Sequence, residues 1–130
     1  MRLKSEKGQA MVEFALVLPL LILLLCAIID VGWIFGNQLL ANNAAREAAR
    51  YTAVHYYDSS TDNDTSIAAG IVAARAPTLV TPIITLSKSV SGNEITVSVS
   101  SQVTIPSPLL SSLFAGGEYM VAAQCTMKLE

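Results

Sequence analysis

A single carboxylate just inside the start of an otherwise uncharged apolar run limits what this chain can be. Arg2, Lys4 and Lys7 precede Gly8, the sequence Gln9-Ala10-Met11-Val12-Glu13-Phe14 follows, and from Phe14 to Ile29 the thiol of Cys26 is the only ionisable group. From Gln9 to Phe35 the segment is roughly 27 residues, about 40 Å at the helical rise, which spans a bilayer with some tilt. An acid in that setting is costly, so Glu13 calls for a functional reason.

The charges on either side of the run predict its orientation. Three basic residues and one acid, Glu6, lie before it, whereas Asp30 is the first charge after it and Arg46 the next basic residue. The positive-inside rule places the N-terminus in the cytoplasm and everything beyond about residue 35 outside. Asp30 is expected to mark the outer interface as a solvated residue. Cys26 would lie in the span and Cys125 far from it, so two unpaired thiols are expected. Leu23-Leu24-Leu25-Cys26 lacks the small residue a lipobox needs before its cysteine. No A-x-A exit follows the apolar run, so a retained helix is favoured over a cleaved secretory signal.

Past the membrane, good helix formers continue without proline to about Tyr56, with Ala41, Ala45, Ala48 and Thr52 on one face and Arg46, Glu47 and Arg50 on the other. One helix from about Gln9 to Tyr56 is expected, kinked near Pro19, whose missing donor disrupts the preceding turn. A local Glu47–Arg50 pair on a solvated face is expected. Gly32 and Gly36 form a small-xxx-small pair where helices can approach closely. Asp58 to Asp64 reads as a surface loop whose last residue caps a short helix over about 65–76, ended by Pro77. Leu79 to Ser89 reads as a strand, with Pro82 arguing for an edge position or a late start. Ser91-Gly92-Asn93 reads as a hairpin turn. Ile95, Val97, Val99, Val103 and Ile105 alternate with polar residues, and Ser101 is the one break in the inward row. Leu109 to Phe114 is an apolar crossing or short helical turn, Gly116-Gly117 reverses the chain, and Glu118 to Leu129 alternates again. The predicted class is α+β: a long N-terminal transmembrane helix continuing into a small head with a short helix and a three-stranded antiparallel sheet. The divisions are a basic leader 1–8, a span 9–35, a helical extension 36–57 and an extracytoplasmic head 58–130.

Few function classes remain. Outside the span there is no Lys/Arg cluster with interleaved aromatics, so nothing points to nucleic acid. No Cys/His cluster at metal spacing, Gly-rich phosphate loop or calcium loop is present, and His55 has no nucleophile in a recognisable context. No enzyme activity, cofactor, metal or small-molecule substrate is expected.

A short basic leader ending in glycine, a glutamate at the fifth residue after it, and an apolar helix resemble a type IV prepilin. Val12-Glu13-Phe14-Ala15-Leu16-Val17-Leu18-Pro19-Leu20-Leu21, Asp30-Val31-Gly32, and Asn43-Ala44-Ala45-Arg46-Glu47-Ala48-Ala49-Arg50-Tyr51 resemble the TadE-like pseudopilins of tight-adherence (Tad) secretion systems. The resemblance covers about residues 8 to 55. It implies cleavage of the Gly8–Gln9 bond by a membrane prepilin peptidase, with Lys7, Glu13 and Phe14 in recognition and assembly. It implies as partners that peptidase, other pilin and pseudopilin subunits and an inner-membrane assembly platform, in a bacterial cytoplasmic membrane, with a part in assembling Tad-type (Flp) pili or the associated secretion apparatus for adherence, either within the surface fibre or remaining in the membrane. On the residues alone, Gly8 lets a protease bind the backbone in extended form, and its helix-breaking tendency keeps the bond accessible. Glu13 lies one helical turn from the amine that cleavage creates at Gln9 and can pair with it or with a neighbour's. The alternative is an uncleaved bitopic anchor whose head binds an extracytoplasmic ligand.

Overall fold

The computed structural model describes residues 3–55, 61–89, 93–112 and 116–128. The N-terminal helix α1 runs Leu3–His55 and passes through Pro19 without interruption. It starts earlier than the sequence suggests, so Gly8 lies inside the helix. Leu3, Lys4, Glu6 and Lys7 are good helix formers, and together they outweigh the cost of about 1 kcal/mol for one glycine. The expected ending near Tyr56 falls just outside the described residues.

The second helix, α2, spans Thr61–Arg75. This corrects the expectation of a loop up to Asp64: Asp64 sits in the first turn and is buried rather than capping a later start. A run of Thr, Asp, Asn and Asp is suited to a helix beginning as well as to a loop, because acids are favoured where unpaired N–H groups concentrate positive potential. Ala76 N–H donates to Val72 O at 2.8 Å, and a turn closed by Leu79 N–H to Ala76 O at 3.1 Å follows at Pro77.

Three antiparallel strands follow: β1 (Val80–Ser89), β2 (Glu94–Thr104) and β3 (Glu118–Lys128), in spatial order β1-β2-β3, with the four-residue helix α3 (Pro108–Ser111) between β2 and β3. β1 is an edge strand, as Pro82 requires. Its pairing slips between Val80 and Ile83, where Thr81 takes a positive φ of 45°, so the missing proline donor falls within a bulge. The alternation of β2 holds along its length, and Ser101 takes its place in the buried row by donating its hydroxyl to Val80 O at 2.8 Å. That bond ties the hydroxyl to β1 beside the bulge, which accounts for a serine among valines. Asn93 enters β2 with φ 50°; the rest of the expected turn, Ser91-Gly92, lies outside the described residues, as do Phe114 and Leu129. Gly116 and Gly117, at φ 89° and 68°, turn the chain into β3, and a Cβ on Gly117 would meet that of Ser111 at 3.0 Å.

Helix α1 covers the inner face of β2 and β3, and α2 lies beside it against β1. The core joins Ala41, Ala44, Ala45, Ala48 and Ala49 of α1 with Ala68 and Val72 of α2 and with Val97, Val99, Val103 and Val121 of the sheet. Thr52 joins this face because its hydroxyl bonds back to Ala48 O and Ala49 O at 2.9 and 3.1 Å. Cys26 and Cys125 are free thiols, each half-buried. Because Ala48 has no exposed surface, Ala48→Leu is expected to destabilise the head by about 1–3 kcal/mol through overpacking. Thermal unfolding of the detergent-solubilised chain followed by near-UV circular dichroism measures it.

Candidate functional site

The first four turns of α1 carry the residues that resemble a prepilin. Gly8 is exposed, with nothing within 4 Å of where a Cβ would stand. Gln9 and Glu13 are on one face, and Gln9 Nε2 reaches Glu13 Oε1 at 3.5 Å. The Glu13 carboxyl group therefore lies on the same helical stripe as the Gln9 backbone nitrogen, one turn away. Phe14 is exposed, as are the large apolar residues from Met11 to Ile29. Within α1, Gly8–His55 is long and apolar enough to cross a membrane once, and its most apolar 18-residue window is not buried at all by the rest of the chain. Such a surface suits lipid.

Asp30 corrects the sequence reading. Instead of being solvated it is 1% exposed, and both its oxygens are used: Ser107 N–H donates to Oδ1 at 3.2 Å and the Ser107 hydroxyl donates to Oδ2. Ser107 stands between Pro106 and Pro108 at the start of α3, where its carbonyl also accepts from Ser111 N–H at 3.1 Å. From Gly8 to Asp30 the helix rises about 33 Å, close to the thickness of a hydrocarbon core. The head therefore takes hold of α1 at the end of its apolar run. No periodicity in either segment could have paired two residues so far apart in sequence; the available signal was an acid at the end of an apolar run and a serine enclosed by prolines.

Two more ties lie above it. Asn37, buried, donates to Trp33 O at 2.9 Å and accepts from the Thr78 hydroxyl at 2.6 Å. Gln38 Nε2 donates to Ala122 O of β3 at 2.7 Å. Among the described residues nothing lies within 4 Å of the Cβ position of Gly32 or Gly36, and with Trp33, Leu39, Leu40 and Thr78 they line an open groove of about 390 Å³. Glu47 pairs with Arg75 of α2 at 2.7 Å rather than with Arg50, because α2 brings a guanidinium across from a second element. His55 stacks on Tyr51, ring centroids 4.2 Å apart, and its Nδ1 lies 3.0 Å from Tyr51 O. Among the described residues no three His, Cys, Asp or Glu side chains come together as they would to hold a metal ion.

A family model described as TadE-like protein matches residues 8–50. The chain is similar to TadE-like proteins over this segment. Its limits run from Gly8 to Arg50, so the TadE-like segment holds Glu13, Asp30, Asn37, Gln38 and most of the alanine face, while α2 and the sheet lie outside it. The match concerns this segment, about a third of the chain, and the one long apolar helix fits a single-pass membrane protein. No curated protein and no solved structure matches the chain.

Asp30→Ala removes both bonds from Ser107 to the carboxylate, and its expected cost is about 1.5–3 kcal/mol, the range for hydrogen bonds to an acid. Faster hydrogen exchange at the Ser107 amide, with exchange in the middle of β2 changed far less, is the expected result.

Proposed function

We propose that the chain is a minor pilin or pseudopilin, cut between Gly8 and Gln9 by a prepilin peptidase and assembled through its N-terminal helix into, or beside, a Tad-type (Flp) pilus that serves adherence. It acts by binding and assembly, without turnover. Its partners in this reading are the peptidase, other pilin and pseudopilin subunits and the inner-membrane assembly platform. The basic leader stays in the cytoplasm and the head lies outside.

The observation that carries the proposal is Glu13 on the helical stripe of Gln9, at the fifth position after Gly8, at the start of the TadE-like match. An acid at mid-bilayer costs about 2.5–3.5 kcal/mol on insertion scales and less near the edge. Cleavage supplies an amine one turn away, so the pair formed within the subunit or with a neighbour offsets much of that cost. Because Gly8 lies within a helix, the peptidase has to open the first turns to reach the bond, and a residue without a side chain makes that local opening easier.

Intact-mass measurement of the protein from its native host tests the cleavage. A mature chain beginning at Gln9 is expected; Met1 retained in the presence of active peptidase overturns the proposal in favour of a plain anchored head. Glu13→Ala is expected to leave the head folded and to reduce co-purification with other pilin subunits about tenfold or more, equivalent to roughly 1.4 kcal/mol. Unchanged cleavage together with unchanged co-assembly in that variant removes the role assigned to Glu13.

A further inference from the structure

The far end of α1 carries a second surface that the membrane half does not account for. Arg46, Arg50, Tyr51, Val54 and His55 form a stripe along the outside of the helix, and together with Met127 of β3 they line an open groove of about 560 Å³. Val54 and Met127 give it an apolar floor, Tyr51 and His55 a stacked aromatic wall, and the two arginines one edge. Glu47, the one acid lining it among the described residues, is held by Arg75 at 2.7 Å. Arg46 and Arg50 have no carboxylate partner among the described residues, although the chain as a whole carries a net charge of −2. Lys128 lines an adjoining hollow, but Glu94 stands opposite it in the β2–β3 register, so it is left out of the site.

We propose that this groove binds an acidic polypeptide segment of a neighbouring protein, one with carboxylates for Arg46 and Arg50 and an apolar side chain for the floor between Val54 and Met127. Three features select that occupant. Two guanidinium groups one helical turn apart, each able to grip a carboxylate with two parallel hydrogen bonds, match acids and not neutral groups. From Asn43 to His55 the groove follows about 18 Å of helix, the length of five or six extended residues and more than a small anion needs. Arg46 stands about 24 Å along the helix beyond Asp30, out of reach of lipid headgroups at the membrane exit. Arginine, tyrosine and methionine are also the residues enriched where proteins meet. The site is separate from the leader and span, so it holds whether or not cleavage after Gly8 occurs.

The test uses the full chain in a nanodisc and two six-residue probes, one alternating glutamate and leucine and one alternating glutamine and leucine. The glutamate peptide is expected to bind at least about tenfold more tightly, since two charge-assisted pairs are lost in the other. R46Q combined with R50Q is expected to erase that difference, and V54W, which fills the floor while leaving both charges, to weaken both peptides. A photoreactive residue in place of Val54 is expected to crosslink to the glutamate peptide. Equal affinity for the two peptides overturns the proposal, as does a preference that survives the double arginine variant or binding that V54W leaves unchanged. Crosslinks that fall only on lipid or on the same chain also overturn it.

Discussion

The head exists because one side of α1 is almost bare. Alanines 41, 44, 45, 48 and 49 carry no side chain beyond Cβ, so the helix lies close against β2 and β3 and leaves room for α2 at its flank. Bulk for the core comes from the other side, from Val97, Val99, Val103 and Val121 of the sheet and Val72 of α2. Alanine also has the strongest helix propensity, so the residues that allow close approach also keep the helix intact where it leaves the membrane. The acidic tie at Asp30 and the amide ties at Asn37 and Gln38 then fix where along this smooth face the head comes to rest.

Strand alternation was plain in the chain because one sheet face is wet and the other dry, and a period of two survives that difference directly. Ser101 stands out as a break in the row, and it is buried as a partner for the Val80 carbonyl beside the bulge. Pro82 placed β1 at an edge for the same reason the edge tolerates it: no donor is required there. Harder to read were features that join distant segments. Asp30 looked like a charge leaving the bilayer, and only the return of the chain through Pro106-Ser107-Pro108 gives it a dry, fully bonded setting. Glu47 had a suitable local partner in Arg50, yet α2 supplies Arg75 instead. The start of α2 is hidden in the sequence because Thr, Asp and Asn serve a loop and a helix beginning equally well. Among the candidate residues, the Gly8-Gln9-Glu13 spacing is legible as pattern, since three positions within two turns need no tertiary information. The groove at Arg46 and Arg50 was not, because Met127 reaches it from the last strand.

The TadE-like match ends at Arg50, near the end of α1, and so includes the surface on which the sheet rests but none of the sheet. The residues that hold a head and those that enter the membrane belong to one continuous element. Different heads built from valine-rich strands could be seated on such an alanine face with little change to the helix, provided a polar group such as Ser107 meets the acid at the exit.

The unbroken helix and the ties at Asp30, Asn37 and Gln38 give the molecule the mechanics of a key. With the head gripped at the bilayer exit and again two turns higher, it has no swivel relative to the shaft, and each residue of α1 corresponds to about 100° of rotation. The compass direction in which the sheet faces is thus written into the helical phase of the membrane segment, and whatever turns or tilts that segment steers the whole outer surface with it.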